Sequence, residues 1–377
     1  MRAPNPDIQN GSFHGKAVEM TMIEYEMATS IPAEFSEACT YSQPLDGRSF
    51  IPMDCDSALK NPVPTDRRTE TFQGLAPGPV TLRGFRTYIT EDQKLFLDES
   101  LSSIWERDRY FARFAHGKKF EDLTLTWDGE RAHLPVEENV TVIDEPVYAL
   151  CSGEPSNYGS WIYRVLPKLA TLPTAKRKLF LYLNSDWQRE MLAYFAPDFE
   201  SLRHQPLRAY LLRDALIPTP RNVGVLFDDR TREFYRRHAL AVPGKSPHRK
   251  IYLTRASQKI RPMINEAELQ ETLKDIGFDM IAPEQFGIED RMRIIRDAEG
   301  IVCPGGSGLF NLVFAQNAKF VLDIEASRTW IYAHSRIMQS LELPHTVLFG
   351  KQHGAGLPHD PWLAPIPDIE HCLKTLA

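Results

Sequence analysis

From residue 140 onward, short apolar runs alternate with amphipathic stretches, the pattern of a chain that switches between strand and helix. Residues 140–150 read as a strand, and residues 161–169 as an amphipathic helix stopping near Pro173. A strand over 179–183 and a helix over 187–195 follow. Residues 207–212 and 223–227 read as two further strands, ahead of a helix over 230–240 that Pro243 and Gly244 close. The second half repeats the alternation with clearer punctuation. Residues 250–253 read as a strand, and Asn265 with Glu268 three residues on has the spacing of a capping box. The helix it opens places Leu269, Leu273 and Ile276 on one face and ends at Gly277. A strand over 278–281 precedes a helix over 288–299, with Met292, Ile295 and Ala298 inward and Gly300 as its cap. Then come a strand over 301–303, a glycine turn, a helix from Leu309, a strand over 320–324 and a helix over 330–341. This order predicts a parallel sheet with right-handed crossovers.

The first 80 residues are rich in proline and show little periodicity, which predicts an irregular extension that wraps the body with short strands. Residues 95–114 read as a helix, with Leu97, Leu101, Ile104, Trp105, Tyr110 and Phe111 on one face. The expected division is an N-terminal extension over 1–80, an N-terminal α/β domain over 81–243, a Rossmann-like domain over 248–350 and a tail over 351–377. The break at 243–247 joins two α/β halves, so the fold class expected is two facing Rossmann-like domains with a ligand in the central cleft.

Composition narrows the function classes. A net charge of −6 argues against a general nucleic-acid binder. The basic triplets at 176–178 and 248–250 each abut an apolar strand and read as solvated strand entries. Cys39, Cys55, Cys151, Cys303 and Cys372 are scattered and form no Cys-x-x-Cys, so neither a disulfide framework nor a zinc site is expected. The histidines show no ligand spacing, and Asp54-Cys55-Asp56 sits in the proline-rich extension, far from any clear sheet, so no metal is predicted. Glu19, Glu24 and Glu26 interrupt the apolar residues of 17–31, and no leader is legible there. The long uncharged stretch 301–318 contains Pro304 and three glycines and reads as strand–turn–helix, not as a membrane span. The expectation is a cytoplasmic protein, with peripheral membrane contact and oligomeric state left open.

Candidate chemistry collects in two places. Arg255 follows a strand and belongs at its C-terminal edge, where α/β sheets bind ligands; the competing reading is a surface ion pair. Arg261 lies in the loop that follows, where solvation is the alternative. Some forty residues on, Gly305, Gly306, Ser307 and Gly308 form a strand-to-helix turn whose amides suit an anion, unless the turn serves packing alone. Leu309 and Asn311 stand at the start of the next helix, and Glu284 just beyond a strand end, where it could meet a ribose or only solvent. Arginine forks bind phosphate bidentately, so the two elements together read as a phosphate clamp. No G-x-G-x-x-G follows the first strand of this half, which counts against a nicotinamide or flavin enzyme. Asn157, Tyr158, Gly159 and Ser160 open the 161–169 helix and are expected to face the cleft, with Ser160 equally readable as a cap.

The segments RKIYLTR, RPMINEAEL and GFDMIAPEQFGIEDRMRIIRDAEGIVCPGGSGLFNLVFA, in that order, resemble glycosyltransferase family 61, as does NYGSWIYRVLPKL over 157–169. The resemblance runs roughly from residue 140 to 350. It implies a GT-B fold and an inverting, metal-independent transfer of a hexosyl or pentosyl group. The donor implied is a nucleotide-sugar, bound as substrate with no cofactor, and the acceptor a glycan or glycolipid hydroxyl, as in capsule or exopolysaccharide assembly. Members of the family often carry a histidine where this chain has Ser160, and another where it has Gly305. Those two departures leave a second reading, a catalytically degenerate nucleotide-sugar binder or scaffold subunit. An inverting transfer needs a base for the acceptor hydroxyl; Asp144, Glu145 and Glu154 are nearest these elements in sequence, and Glu154 is the one assigned to it here, with a solvated loop acid as the alternative.

Overall fold

The computed structural model describes residues 48–64, 141–150, 156–172, 176–205, 209–218, 226–244, 249–255, 260–355, 357 and 359–376. In the first 140 residues it also describes the strands Thr21–Glu26, Ser36–Ala38, Thr71–Gln73, Leu75–Arg83, Arg86–Ile89, Thr126–Trp127 and Arg131–Val136. The architecture is mixed α/β and rests on two larger sheets.

The first sheet holds β1 (Val147–Leu150), β2 (Lys178–Tyr182), β3 (Ser201–His204) and β4 (Ala209–Pro218), in the order β3-β2-β1-β4 and mutually parallel. The hairpin of Leu75–Arg83 and Arg86–Ile89 continues it antiparallel from β4. Its helical partners are α1, a continuous run of Tyr158–Ser160, Trp161–Val165 and Leu166–Leu169 with π geometry in the middle, α2 (Asp186–Phe195) and α3 (Asp229–Ala241). The strand expected over 140–150 is two strands, Thr141–Ile143 and β1, parted around Pro146, which has no N–H to give a ladder. The strand expected over 223–227 does not form at its described end. Leu226 and Phe227 are buried coil leading to Asp228, whose Oδ1 accepts from the amide of Thr231 at 2.7 Å and caps α3.

The second sheet holds β5 (Arg249–Leu253), β6 (Phe278–Ile281), β7 (Ala298–Pro304), β8 (Phe320–Glu325) and β9 (His345–Phe349), all parallel, in the order β6-β5-β7-β8-β9. Its helices are α4 (Glu266–Asp275), α5 (Ile288–Arg296), α6 (Ile331–Ser340) and α7 (Ile366–Leu376). The expected parallel sheet is present, lengthened by β9 and covered by α7. From β5 the chain steps outward to β6, then returns past β5 to β7. That reversal makes the C-terminal ends of β5 and β7 a topological switch point, where open α/β sheets bind ligands.

Side chains alternate between the two faces of this sheet. Ile251, Leu253, Ile301, Cys303, Val321 and Val347 pack with Met292, Ile295 and Ile337, and the same cluster takes in Trp161, Phe195 and Tyr235 from the first sheet's helices. Tyr252, Val302, Leu322, Ile324 and Leu348 face the other way, onto Leu269, Leu273, Trp362, Ile369 and Leu373. The segment 48–64 of the extension follows the outer edge of β9. Ile51 donates to the carbonyl of His345 at 2.7 Å and Leu59 to that of Val347 at 2.9 Å, so an otherwise open edge is paired. The helix expected over 95–114 lies outside the described residues.

Three local expectations change. Asn265 caps nothing with its side chain: its amide bonds both ways to the backbone of Ala364, at 2.8 and 2.9 Å. Gly300 is not a helix cap but lies inside β7, where the ring of Phe320 fills the space a side chain would take. The helix expected from Leu309 is a 3-10 turn over Ser307–Phe314. No helix of the described residues is long and apolar enough to cross a membrane.

Candidate functional site

At the switch point Arg255 leaves β5 with its backbone fixed. Glu266, buried at the start of α4, accepts from the Arg255 amide at 2.6 Å and from the Tyr252 hydroxyl at 3.2 Å. The Arg255 guanidinium donates to the carbonyl of Gly305 and, at 3.0 Å, to that of Ile260. Its Nε is buried with no partner among the described residues.

Arg261 arrives by a different route. Its φ of 55° is left-handed, a conformation that costs a non-glycine residue about 1–3 kcal/mol and persists only where surroundings impose it. Trp362, from the C-terminal tail, imposes it. The indole Nε1 donates to the Arg261 carbonyl at 3.1 Å, and the Trp362 backbone pairs with Pro262 and Ile264 at 3.1 and 2.8 Å.

The two guanidinium groups converge over Gly306. A Cβ added there would collide with Nη1 of Arg255 and lie 3.3 Å from Nη2 of Arg261. Burial lowers the pKa of Arg255, and the neighbouring Arg261 lowers it further. Burial lowers Arg261 also, against an opposing pull from Glu325. Among the described residues neither arginine forms an ion pair with a carboxylate. Two crowded, half-desolvated cations that no carboxylate pairs directly favour an anion between them.

The glycine loop supplies the other side. Gly306 has φ 148° and ψ −170°, a region open to glycine alone. The Gly305 amide donates to the carbonyl of Ile324 at 2.9 Å, and the carboxylate of Glu325 occupies the space a side chain at 305 would need. Glu325 is in turn bonded to Nδ1 of His334, and burial with Glu325's charge pushes the Asp323 carboxyl well above the usual range. Ser307 and Gly308 are exposed, and nothing lies within 4 Å of a Cβ placed on Gly308. First-turn amides have no acceptor within their own helix. Two guanidinium groups, these amides and the Ser307 hydroxyl therefore border one crevice, a set that suits phosphate oxygens.

Leu309 and Asn311 sit beneath the loop, both buried. Asn311 Nδ2 donates to the carbonyl of Gly308 at 2.8 Å, and its Oδ1 accepts from the Tyr158 hydroxyl. Burial raises the Tyr158 phenol, which keeps its proton available for that bond. Asn157 Oδ1 accepts from the Ser160 amide at 3.0 Å and caps α1. Gly159 meets Phe310, since a Cβ there would stand 2.7 Å from the ring, and Ser160 is buried. Tyr158 and Gly159 thus make a packed joint against the back of the glycine loop, while Asn157 is exposed. Glu284 is exposed in the turn Pro283–Gln285, and Glu154 lies outside the described residues.

Arg291 was not singled out from the sequence. Buried on α5, it donates to the carbonyls of Pro283 and Phe286 at 3.0 and 2.8 Å and to the Tyr158 hydroxyl at 3.2 Å. It ties the Glu284 turn to α1 and, through Tyr158 and Asn311, to the glycine loop. Trp362 was missed too, and Glu266, which beside Asn265 could touch substrate, was passed over in favour of the helix cap. An acid in a helix's first turn reads as ordinary dipole compensation. A lone tryptophan far along a tail carries no spacing signal at all.

No curated protein matches this chain. Residues 158–322 match the family model described as Glycosyltransferase 61. That span begins at the joint on α1 and ends in β8, and it contains both arginines and the glycine loop. Over that span the residues that build this crevice are similar to glycosyltransferase family 61.

Proposed function

We propose that this chain transfers a sugar, with inversion, from a nucleotide-sugar to a hydroxyl of a glycan or glycolipid. The observation that carries the reading is the convergence of Arg255 and Arg261 over Gly306, at the switch point of a parallel sheet. In this reading the donor diphosphate lies between the two guanidinium groups and the amides of Ser307 and Gly308. The acceptor oxygen attacks the anomeric carbon from the face opposite the diphosphate. As the bond from that carbon to the phosphate oxygen breaks, negative charge grows on the leaving phosphate, and the fixed cations stabilise it there, taking the part a metal plays in other transferases. The proton leaving the acceptor hydroxyl goes to a base on the N-terminal side, for which Glu154 is the assigned residue. The two sheets correspond in this proposal to the acceptor and donor halves of a GT-B arrangement, with boundaries near 81–243 and 248–350, and polysaccharide assembly in the cytoplasm is the matching role.

A thermal-shift and calorimetric panel of UDP-, GDP-, CMP- and dTDP-sugars tests this. At least one nucleotide should raise the melting temperature by mass action and be hydrolysed slowly. Arg255→Ala should weaken that nucleotide's binding by roughly 10- to 100-fold, the worth of a charge-assisted phosphate contact, with an unchanged circular dichroism spectrum. A panel in which no nucleotide binds, or an Arg255→Ala protein that binds as tightly as before, would remove the clamp from this account.

A further inference from the structure

Strand β8 breaks its own pattern at the middle of a sheet. Val321, Asp323 and Glu325 share the face turned to α6 and the glycine-loop helix, where apolar side chains are the rule. Two of those three positions are acids, at 0% and 1% exposure. His334, one turn into α6, reaches the same point and is buried as well. One ligand atom from each of Asp323, Glu325 and His334 lies within 4.8 Å of the others. Donors are scarce there. His334 Nδ1 meets Glu325 Oε1, while among the described residues no N–H or hydroxyl reaches either oxygen of Asp323 or Oε2 of Glu325, and the two carboxyls lie against each other. Buried carboxylates are stable when paired with a cation or coordinated to a metal.

We propose that Asp323, Glu325 and His334 bind a divalent first-row metal ion, Zn2+ before others, in a site walled off from the crevice by Gly305. Two carboxylates and one imidazole suit a borderline cation of low coordination number. They do not suit Ca2+, which takes six to eight oxygens, and a hard octahedral Mg2+ is poorly served by the ring nitrogen. The ion joins the end of β8 to α6 behind the glycine loop. It balances the buried charge of Glu325, whose field otherwise reaches Arg261. It does not bridge the donor phosphates, and its existence does not depend on which reaction the crevice performs. Sequence spacing hides the site because the acids stand on alternate strand positions and the histidine comes from the following helix.

The test uses the full chain, free of any polyhistidine tag and stripped with chelator, titrated calorimetrically with Zn2+ and separately with Mn2+. The expected result is about one equivalent of Zn2+ per chain, a raised melting temperature, and a loss of more than about tenfold in affinity in Asp323→Asn and in His334→Gln. No binding by the stripped protein overturns the proposal and leaves a proton shared between the carboxylates. Binding that persists undiminished in both variants overturns it equally, since the ion then sits on other side chains. Should the variants fail to fold, Co2+ loaded into the unaltered protein decides the matter. Intense visible d–d bands from a low-coordinate nitrogen and oxygen set support the site, and the weak spectrum of an octahedral aqua ion refutes it.

Discussion

Gly306 answers to two constraints at once: a backbone conformation that only glycine tolerates, and the Arg255 guanidinium standing where a Cβ would be. Gly308, two residues on, answers to neither, having open space around it. The pair gives a controlled comparison. Gly306→Ala is expected to cost about 1–3 kcal/mol of stability from the backbone alone, and to weaken nucleotide binding because Arg255 must move. Gly308→Ala should change stability by no more than about 0.5 kcal/mol. Urea unfolding of both variants checks this, and equal losses would show that the loop is not held in the described conformation. Gly305 has a third reason to be small. The Glu325 carboxylate already fills the place that a side chain at 305 would take.

At the scale of elements, the site depends on a tail the crevice does not contain. Trp362 pins the strained backbone of Arg261, so Trp362→Phe, which keeps an aromatic ring but removes the Nε1 donor with the pyrrole part of the indole, should loosen Arg261. The expected outcome is a loss of roughly tenfold in nucleotide affinity, about one hydrogen bond's worth of positioning, alongside a lowered melting temperature from the smaller ring in a buried place. Calorimetry beside a thermal melt separates the two, and a fall in stability with affinity intact would make Trp362 a core residue only. The elements the sequence showed best were those fixed by local chemistry. Alternation in β5, β6 and β8 and the turn at Gly305 to Gly308 put Arg255 at a strand end beside the loop, as expected. Arg291 and Trp362 escaped, and Glu266 was passed over, because their partners are carbonyls, amides and hydroxyls of residues distant in the chain, and such contacts leave no periodicity. Asn265 shows the converse error. A valid capping spacing was overridden when β-bridging at Trp362 brought the backbone of Ala364 within reach.

For the whole molecule, acid sensitivity follows from buried imidazoles. Burial lowers the pKa of His345 to about 4, while Nδ1 bonds to the Leu343 carbonyl at 2.9 Å. Burial lowers His238 to about 4 as well, with Arg237 adding to the shift. A histidine that resists protonation when folded and accepts it near its ordinary value when unfolded favours unfolding as pH falls. Its contribution is intact above about pH 6.5 and is lost progressively towards pH 4. Between pH 7 and 5 the unaltered protein should lose about 2 kcal/mol more stability than His345→Gln. Parallel slopes of unfolding free energy against pH in the two proteins would place that sensitivity elsewhere.

Trp161, Phe195 and Tyr235 share one continuous core with Ile251, Val321 and Ile337, and Gly159 lets the backbone of α1 rest on Phe310. No hinge can open between sheets joined in this way without exposing that cluster to water, at about 25 cal/mol for each Å². Grasping a ligand then falls to loops at the rim, not to a swing of one half against the other, and heating should melt both halves in a single cooperative step.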